Sequence, residues 1–468
     1  MRLNIFLASL FSVLIGCSNA DYTEVLPAYI DGEEFLAPQE LSVSAINSDV
    51  FGRSIDGFDT SQDILFFNGN RLFNTSWVPS PASTTGLDGL GPTFNAKACS
   101  NCHFKDGRGK PIESGASNST GFLMRLSILG EDAHGGPLPF PGYGEQLQTN
   151  SILNVASEGK IEVSYSEISG IYDDGTTYSL QKPNYTIYNE NFGSLSNALT
   201  SPRVGTQLIG LGLIDAIPTK QILDNVDEFD TNNDGISGRA NYVWDAVSES
   251  LELGKFGWKA NQPNLKQQVA GAFSGDMGLT TPIFKETNCP SPQNDCYNAP
   301  DGEDDGVSEI TQEQFDRVFF YQTALAVPVR RNVQDENVLI GRDLFTEINC
   351  MACHQTNYTT GKYLENPLLE NANISPYSDF LLHDMGPDLA DNRPDFIASG
   401  VEWRTQPLWG VGLLRAVNKH TFLLHDGRAR NVEEAILWHG GEAENSKNPF
   451  KMLSKTKRDA LIAFINSL

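Results

Sequence analysis

Two pentapeptides, Cys99-Ser100-Asn101-Cys102-His103 and Cys350-Met351-Ala352-Cys353-His354, each set two thiols and an imidazole within five residues. This spacing is the attachment pattern of c-type haem. Each thiol adds to one vinyl group of the porphyrin, and the adjacent His approaches the iron from its proximal face. The chain has only seven Cys and seven His in 468 residues. At that composition a chance Cys-x-x-Cys-His arises in about one such chain per thousand, so two copies are not accidental. Zinc clips and redox dithiols also use paired Cys, but a zinc site needs four ligands and a redox dithiol needs no following His. The expectation is two covalently attached haems, with His103 and His354 as axial ligands.

The remaining Cys speak to the compartment. Arg2, a mostly apolar run over 5–15 and Leu14-Ile15-Gly16-Cys17 read as a secretory signal ending in a lipobox. The run is too short to span a bilayer. Residues 1–17 are thus expected to be the signal, with lipid attached at Cys17, and Ser18 favours the outer membrane. Cys289 and Cys296 lie in a loop of Pro, Asn, Ser and Asp with no His near them. In an oxidising compartment they are expected to form a disulfide. The expected location is the periplasm, with membrane contact only through the lipid. The net charge of −26 excludes nucleic acid as a partner, because a phosphate backbone needs a basic face. It suits a cationic redox partner or bound calcium, or serves solubility alone.

Helices are expected to position both motifs. Asp63 to Phe73 reads as a helix before the first, and Leu339, Leu344, Phe345 and Ile348 make an amphipathic helix running into the second. Gln312 to Ala326 reads as helix up to Pro328, and Leu461, Ile462, Phe464 and Ile465 give the chain's end an apolar face. Between about 145 and 200, IEVSYSEI, TTYSL and YTIY alternate like strands around Asp173-Asp174-Gly175, which predicts a small β-meander. The expected fold is mainly α: two cytochrome c-like haem domains with an inserted β region. Residues 18–50 form a tether and arm, 51–330 the first domain and 331–468 the second.

Each iron has one further axial position, and His134, His383, His420, His425 and His439 are the remaining His. The segment from His425-Asp426-Gly427 to His439 resembles the C-terminal part of bacterial diheme cytochrome c peroxidases and of the MauG enzymes. There a His-x-Gly turn is followed, fourteen residues after its His, by the distal ligand of the second haem. The resemblance implies that role for His439. Those families carry Met or Tyr at the position, so His implies a bis-His, low-potential centre. The stretch from Trp258 through Gln268 to Asp276-Met277 resembles the peroxidase segment of an electron-relay Trp, a peroxide-orienting Gln and a catalytic Glu. Carried over, Trp258 is the relay, Gln268 orients peroxide and Asp276, one methylene shorter than Glu, is the general acid/base. The other reading of these residues is a core aromatic and a surface Gln.

The whole chain more closely resembles the bacterial di-haem oxidoreductases once called thiol oxidoreductase-like. The shared stretches are Gly89-Leu90-Gly91-Pro92-Thr93-Phe94-Asn95, Gly210 to Pro218, His383-Asp384-Met385-Gly386 and Glu402-Trp403-Arg404-Thr405. The resemblance implies a diheme oxidoreductase acting on peroxide, fed by a redox protein or a small electron donor. A pure electron carrier and a non-enzymatic haem lipoprotein are the alternatives. Asp230, Asn232 and Asp234, with Gly235, open like a calcium loop, although Asn241 stands where an EF-hand has Glu. The same residues also read as an Asx-rich turn.

Overall fold

The computed structural model describes residues 27–84, 86–116, 119, 121–302 and 306–468. The leader and Cys17 lie outside them.

Two crossed helix pairs carry the two haem motifs. In the first, Thr60–Asn74 packs against Gln312–Thr323. Asp59 and Gln62 close a capping box at the start of one helix, and Thr311 and Gln314 do so at the other. The crossing is close because Gly69 has no side chain: a Cβ there would lie 2.1 Å from the Arg317 carbonyl oxygen. In the second pair, Glu336–Glu347 packs against Lys455–Ser467. Gly341 plays the same part, its missing Cβ falling 2.0 Å from the Ala460 oxygen. Glu336–Glu347 runs almost directly into Cys350, whereas the short helix Cys99–Cys102 comes well after Asn74 in the chain and packs back against Thr60–Asn74.

The strand-like region is a long hairpin. Lys160–Ile171 pairs antiparallel with Thr177–Tyr188 from end to end. Gly175, at φ +83°, makes the turn possible. TTYSL and YTIY are therefore one strand. A further strand, Leu199–Val204, lies at the end of this region and pairs elsewhere, with Phe122–Glu131. The hairpin reaches the C-terminal part of the chain. Tyr172 Oη donates to Glu433 (2.7 Å), Arg458 donates to Asp174 (2.9 Å), and Tyr185 Oη donates to Asp426 (3.2 Å).

The expectation of a mainly α protein with two cytochrome c-like domains is overturned. The chain is 29% helical and 19% strand, with its strands spread over seven small sheets among the described residues. The helices flanking the motifs were readable. Most other strands are only two to six residues long, too short for alternation to show, and 42 Gly and 24 Pro break longer helical runs. No helix among the described residues is long and apolar enough to cross a membrane.

Candidate haem centres and the residues between them

The second motif opens on a cavity of about 230 Å³. Cys350, Cys353, His354 and His439 all line it, together with the rings of Trp258, Trp403 and Trp409. His354 Nδ1 bonds the Tyr377 carbonyl at 2.8 Å, and His439 Nδ1 bonds the Ala435 carbonyl at 2.6 Å. Each bond fixes Nδ1 as the protonated nitrogen and leaves Nε2 with a lone pair, the arrangement typical of metal-bound imidazoles. Burial pushes His354 down to about 4, and the neighbouring His439 adds to the effect. Burial also lowers His439. Two neutral imidazoles thus face one cavity beside two free, neutral thiols. Burial holds the Cys350 thiol up at about 12 and raises Cys353.

The cavity wall includes an antiparallel pair built from two short stretches that lie apart in the sequence. Leu382–Asp384 pairs with Glu402–Arg404, which brings His383, Met385, Trp403 and Arg404 to one wall. His383 is not available to iron. Its Nε2 bonds Asp379 (2.8 Å) and its Nδ1 bonds Glu442 (2.7 Å). Burial opposes its charge, yet Asp379 outweighs burial and holds it well above an ordinary His. Cys353, Asp379 and His383 cluster within 4.8 Å, but three groups are one short of a structural zinc site. His425 stacks on Trp403 (3.8 Å, 11°) and meets Trp258 edge-on (6.4 Å). Of the other His, His134 lies on the surface against Trp244, and His420 bonds the Arg108 carbonyl.

His439→Ala should convert the second centre from low spin to high spin, read by electron paramagnetic resonance of the oxidised protein. A spectrum that stays low spin would pass the ligand role to another donor in the wall, Met385 or His425.

At the first motif, His103 Nδ1 bonds the Thr206 carbonyl at 2.7 Å, again leaving Nε2 for a metal. Gly205 makes the approach possible, because a Cβ there would lie 2.9 Å from the imidazole. Burial holds Cys99 and Cys102 up at about 12, and the Asp276 carboxylate, close to both, adds to it. Asp276 closes the helix Leu265–Met277. Burial raises its carboxyl against the pull of Arg125, Gln146 and His103. The helix face between Gln268 and Asp276 is made of Gly271, Ala272 and Gly275. A Cβ on Gly275 would meet nothing within 4 Å, and one on Gly271 only Phe284 at 3.9 Å. This leaves an open strip beside Asp276 on which a flat macrocycle can lie. The donors, thiols and space at both motifs fit a haem.

The GLGPTFN stretch sets Asp276 in place. Gly91 lies against Gly278, and the amides of Asn95 and Ala96 donate to the Asp276 carbonyl. The amide that reaches the carboxylate is Gln146, whose Nε2 donates to Asp276 Oδ1 at 2.8 Å. Gln268 is half-buried and its side chain has no hydrogen bond to a described residue. Gln146 lies 130 residues earlier in the chain, and its one sequence signal is the alternation Gln146, Gln148.

Trp258 lies between the centres. Its ring lines the second cavity, and its Nε1 donates to the Val204 carbonyl at 2.8 Å. Val204 is two residues before Thr206, the partner of His103.

The other expected sites are elsewhere. Cys289 and Cys296 are bonded to each other. In the exposed 230–235 turn, Asp230 accepts from the Gly235 amide, Asn232 from the Asp234 amide and Asp234 from the Ile236 amide. The Asn241 side chain donates to the carbonyls of Lys259 and Asp395.

Residues 58–468 match the family described as di-haem oxidoreductase, putative peroxidase, and the chain belongs to that family. No curated protein matches it.

Proposed function

We propose that this protein is a periplasmic, lipid-anchored enzyme that reduces peroxide. Electrons enter at the second centre from a cationic redox protein or a small donor and are used at the first. The placement of Trp258 carries the reading: one ring joins the wall of the His354–His439 cavity to the segment that holds His103. The haems, when bound, supply the redox equivalents and an iron that polarises the peroxide O–O bond. His354 and His439 are the residues that would hold the iron of the second haem, and a centre held by both would serve electron transfer. Asp276 takes the proton from the near peroxide oxygen and returns it to the far one. Gln146 holds that carboxylate in place. Two haem-attachment motifs, the bonded Cys289–Cys296 pair and the lipobox at Cys17 support the compartment. The charge of −26 supports a cationic partner.

The test is rapid mixing of the reduced protein with hydrogen peroxide. Both centres should be reoxidised, the first ahead of the second. Trp258→Phe should slow only the second phase. A wild-type protein that ignores peroxide would be an electron carrier.

A further inference from the structure

Arg108 and Arg404 are 5% and 7% exposed, and both line the second cavity. The other deeply buried arginines have acid partners. Arg203 and Arg393 share Asp395, and Arg428 pairs with Asp426. Among the described residues, Arg108 and Arg404 have none. The Arg108 guanidinium donates to the Leu424 carbonyl. Arg404 donates to the Gly257 carbonyl and to the Gln406 side chain. Arg108 Nε and Arg404 Nη1 are buried without any partner. The nearest acids are already engaged, Asp426 by Arg428 and Asp379 by His383. Burial lowers Arg108 to about 10 and Arg404 to about 9, far below an ordinary arginine.

Two buried, unpaired cations in one apolar cavity are costly unless an anion from outside the chain joins them. A haem brings two propionates, and arginine is the side chain best shaped to grip a carboxylate. We propose that Arg108 and Arg404 are the propionate anchors of the second haem. This rests on the reading that the cavity holds that haem. Arg108 follows His103 by five residues and lies over the Trp258 ring, 5.0 Å from its centroid. One propionate is therefore gripped by the segment that carries the first centre's axial ligand, which ties the second haem to the first.

The test uses the haem-loaded protein dialysed free of small carboxylates, with Arg108→Leu and Arg404→Leu made singly. Removing a cation leaves a propionate uncompensated, so the potential of the low-spin centre should fall. The propionate should then titrate in the neutral range, so the potential should acquire a pH dependence that wild type lacks. The first centre should be unchanged in both respects. Arg108→Lys and Arg404→Lys, which keep the charge, should restore most of the wild-type potential. They also decide the matter if a Leu variant fails to take up haem. Resonance Raman of the propionate bending modes should shift in each variant. The proposal is overturned if every variant is fully loaded and low spin with wild-type potential, pH profile and propionate modes. It is also overturned if added succinate shifts the wild-type potential, since the arginines would then serve a free carboxylate. Wild-type protein with no haem at the second motif would instead refute the underlying reading.

Discussion

Asp276→Asn should cut peroxide turnover by at least about tenfold, and by as much as about 10⁴-fold, the usual range for losing general acid–base assistance. Asn keeps the shape of the side chain and an oxygen to accept from Gln146 Nε2. It cannot carry the proton that O–O cleavage requires. The packing around the site argues against a folding artefact. Burial holds the Asp276 carboxyl above 3.8, the usual value. The folded protein therefore resists ionising this group, and a neutral amide there removes that cost of burying a charge. The pH profile gives a second signature. Wild-type activity should decline with acid as the carboxylate becomes protonated, over a range above its ordinary value, and the Asn variant should lack that limb. Haem content and both spin states should be retained. Full activity in Asp276→Asn with any effective reductant would remove Asp276 from the chemistry. Gln268→Ala should cost less than Gln146→Ala, because only Gln146 touches the carboxylate.

What the sequence made legible was whatever is local. Cys-x-x-Cys-His is a covalent requirement confined to five residues, and it stands out without any fold. The helices around the motifs were found because Phe315, Val318, Phe319 and Gln322, or Leu461, Phe464 and Ile465, repeat at the helical period and are buried. The family resemblance also ran through contiguous stretches, and residues 58–468 match the di-haem oxidoreductases. What depended on distant pairing was lost. His383 and Trp403 face each other across a three-residue ladder that no alternation reveals. As a free His, His383 looked like a possible iron ligand, until Asp379 and Glu442 took both its nitrogens. Helical spacing points to Gln268 for the amide beside Asp276, but that amide comes from Gln146, in a distant loop of the chain. Arg108 lay in no motif, and Arg404 only in the family stretch Glu402-Trp403-Arg404-Thr405, with no role attached. What sets them apart is burial without an acid partner among the described residues. The mainly α expectation failed for the same reason, since short strands are made by their partners and not by their own sequence.

Changing Cys350 and Cys353 together to Ala should halve the pyridine haemochrome per chain, from two haems to one. The two sites are independent in their attachment chemistry. Cys99 and Cys102 pack against Thr60–Asn74, and Cys350 and Cys353 follow on Glu336–Glu347. Loss of one pair of thiols leaves the other untouched. The low-spin signal should be the one that disappears, because His354 and His439 face the cavity that loses its thiols. The cavity would then be an apolar void with no covalent hold on an occupant, and voids destabilise in proportion to the volume left unfilled. The thermal midpoint should fall with the haem content, and more than it falls for Cys99→Ala/Cys102→Ala if the second cavity is the larger. Residual low-spin haem, extractable by acid organic solvent, would mean that the two imidazoles alone retain the cofactor without thioether bonds. Unchanged covalent haem would mean that the second motif is not an attachment site, and the paired-imidazole cavity would need another tenant.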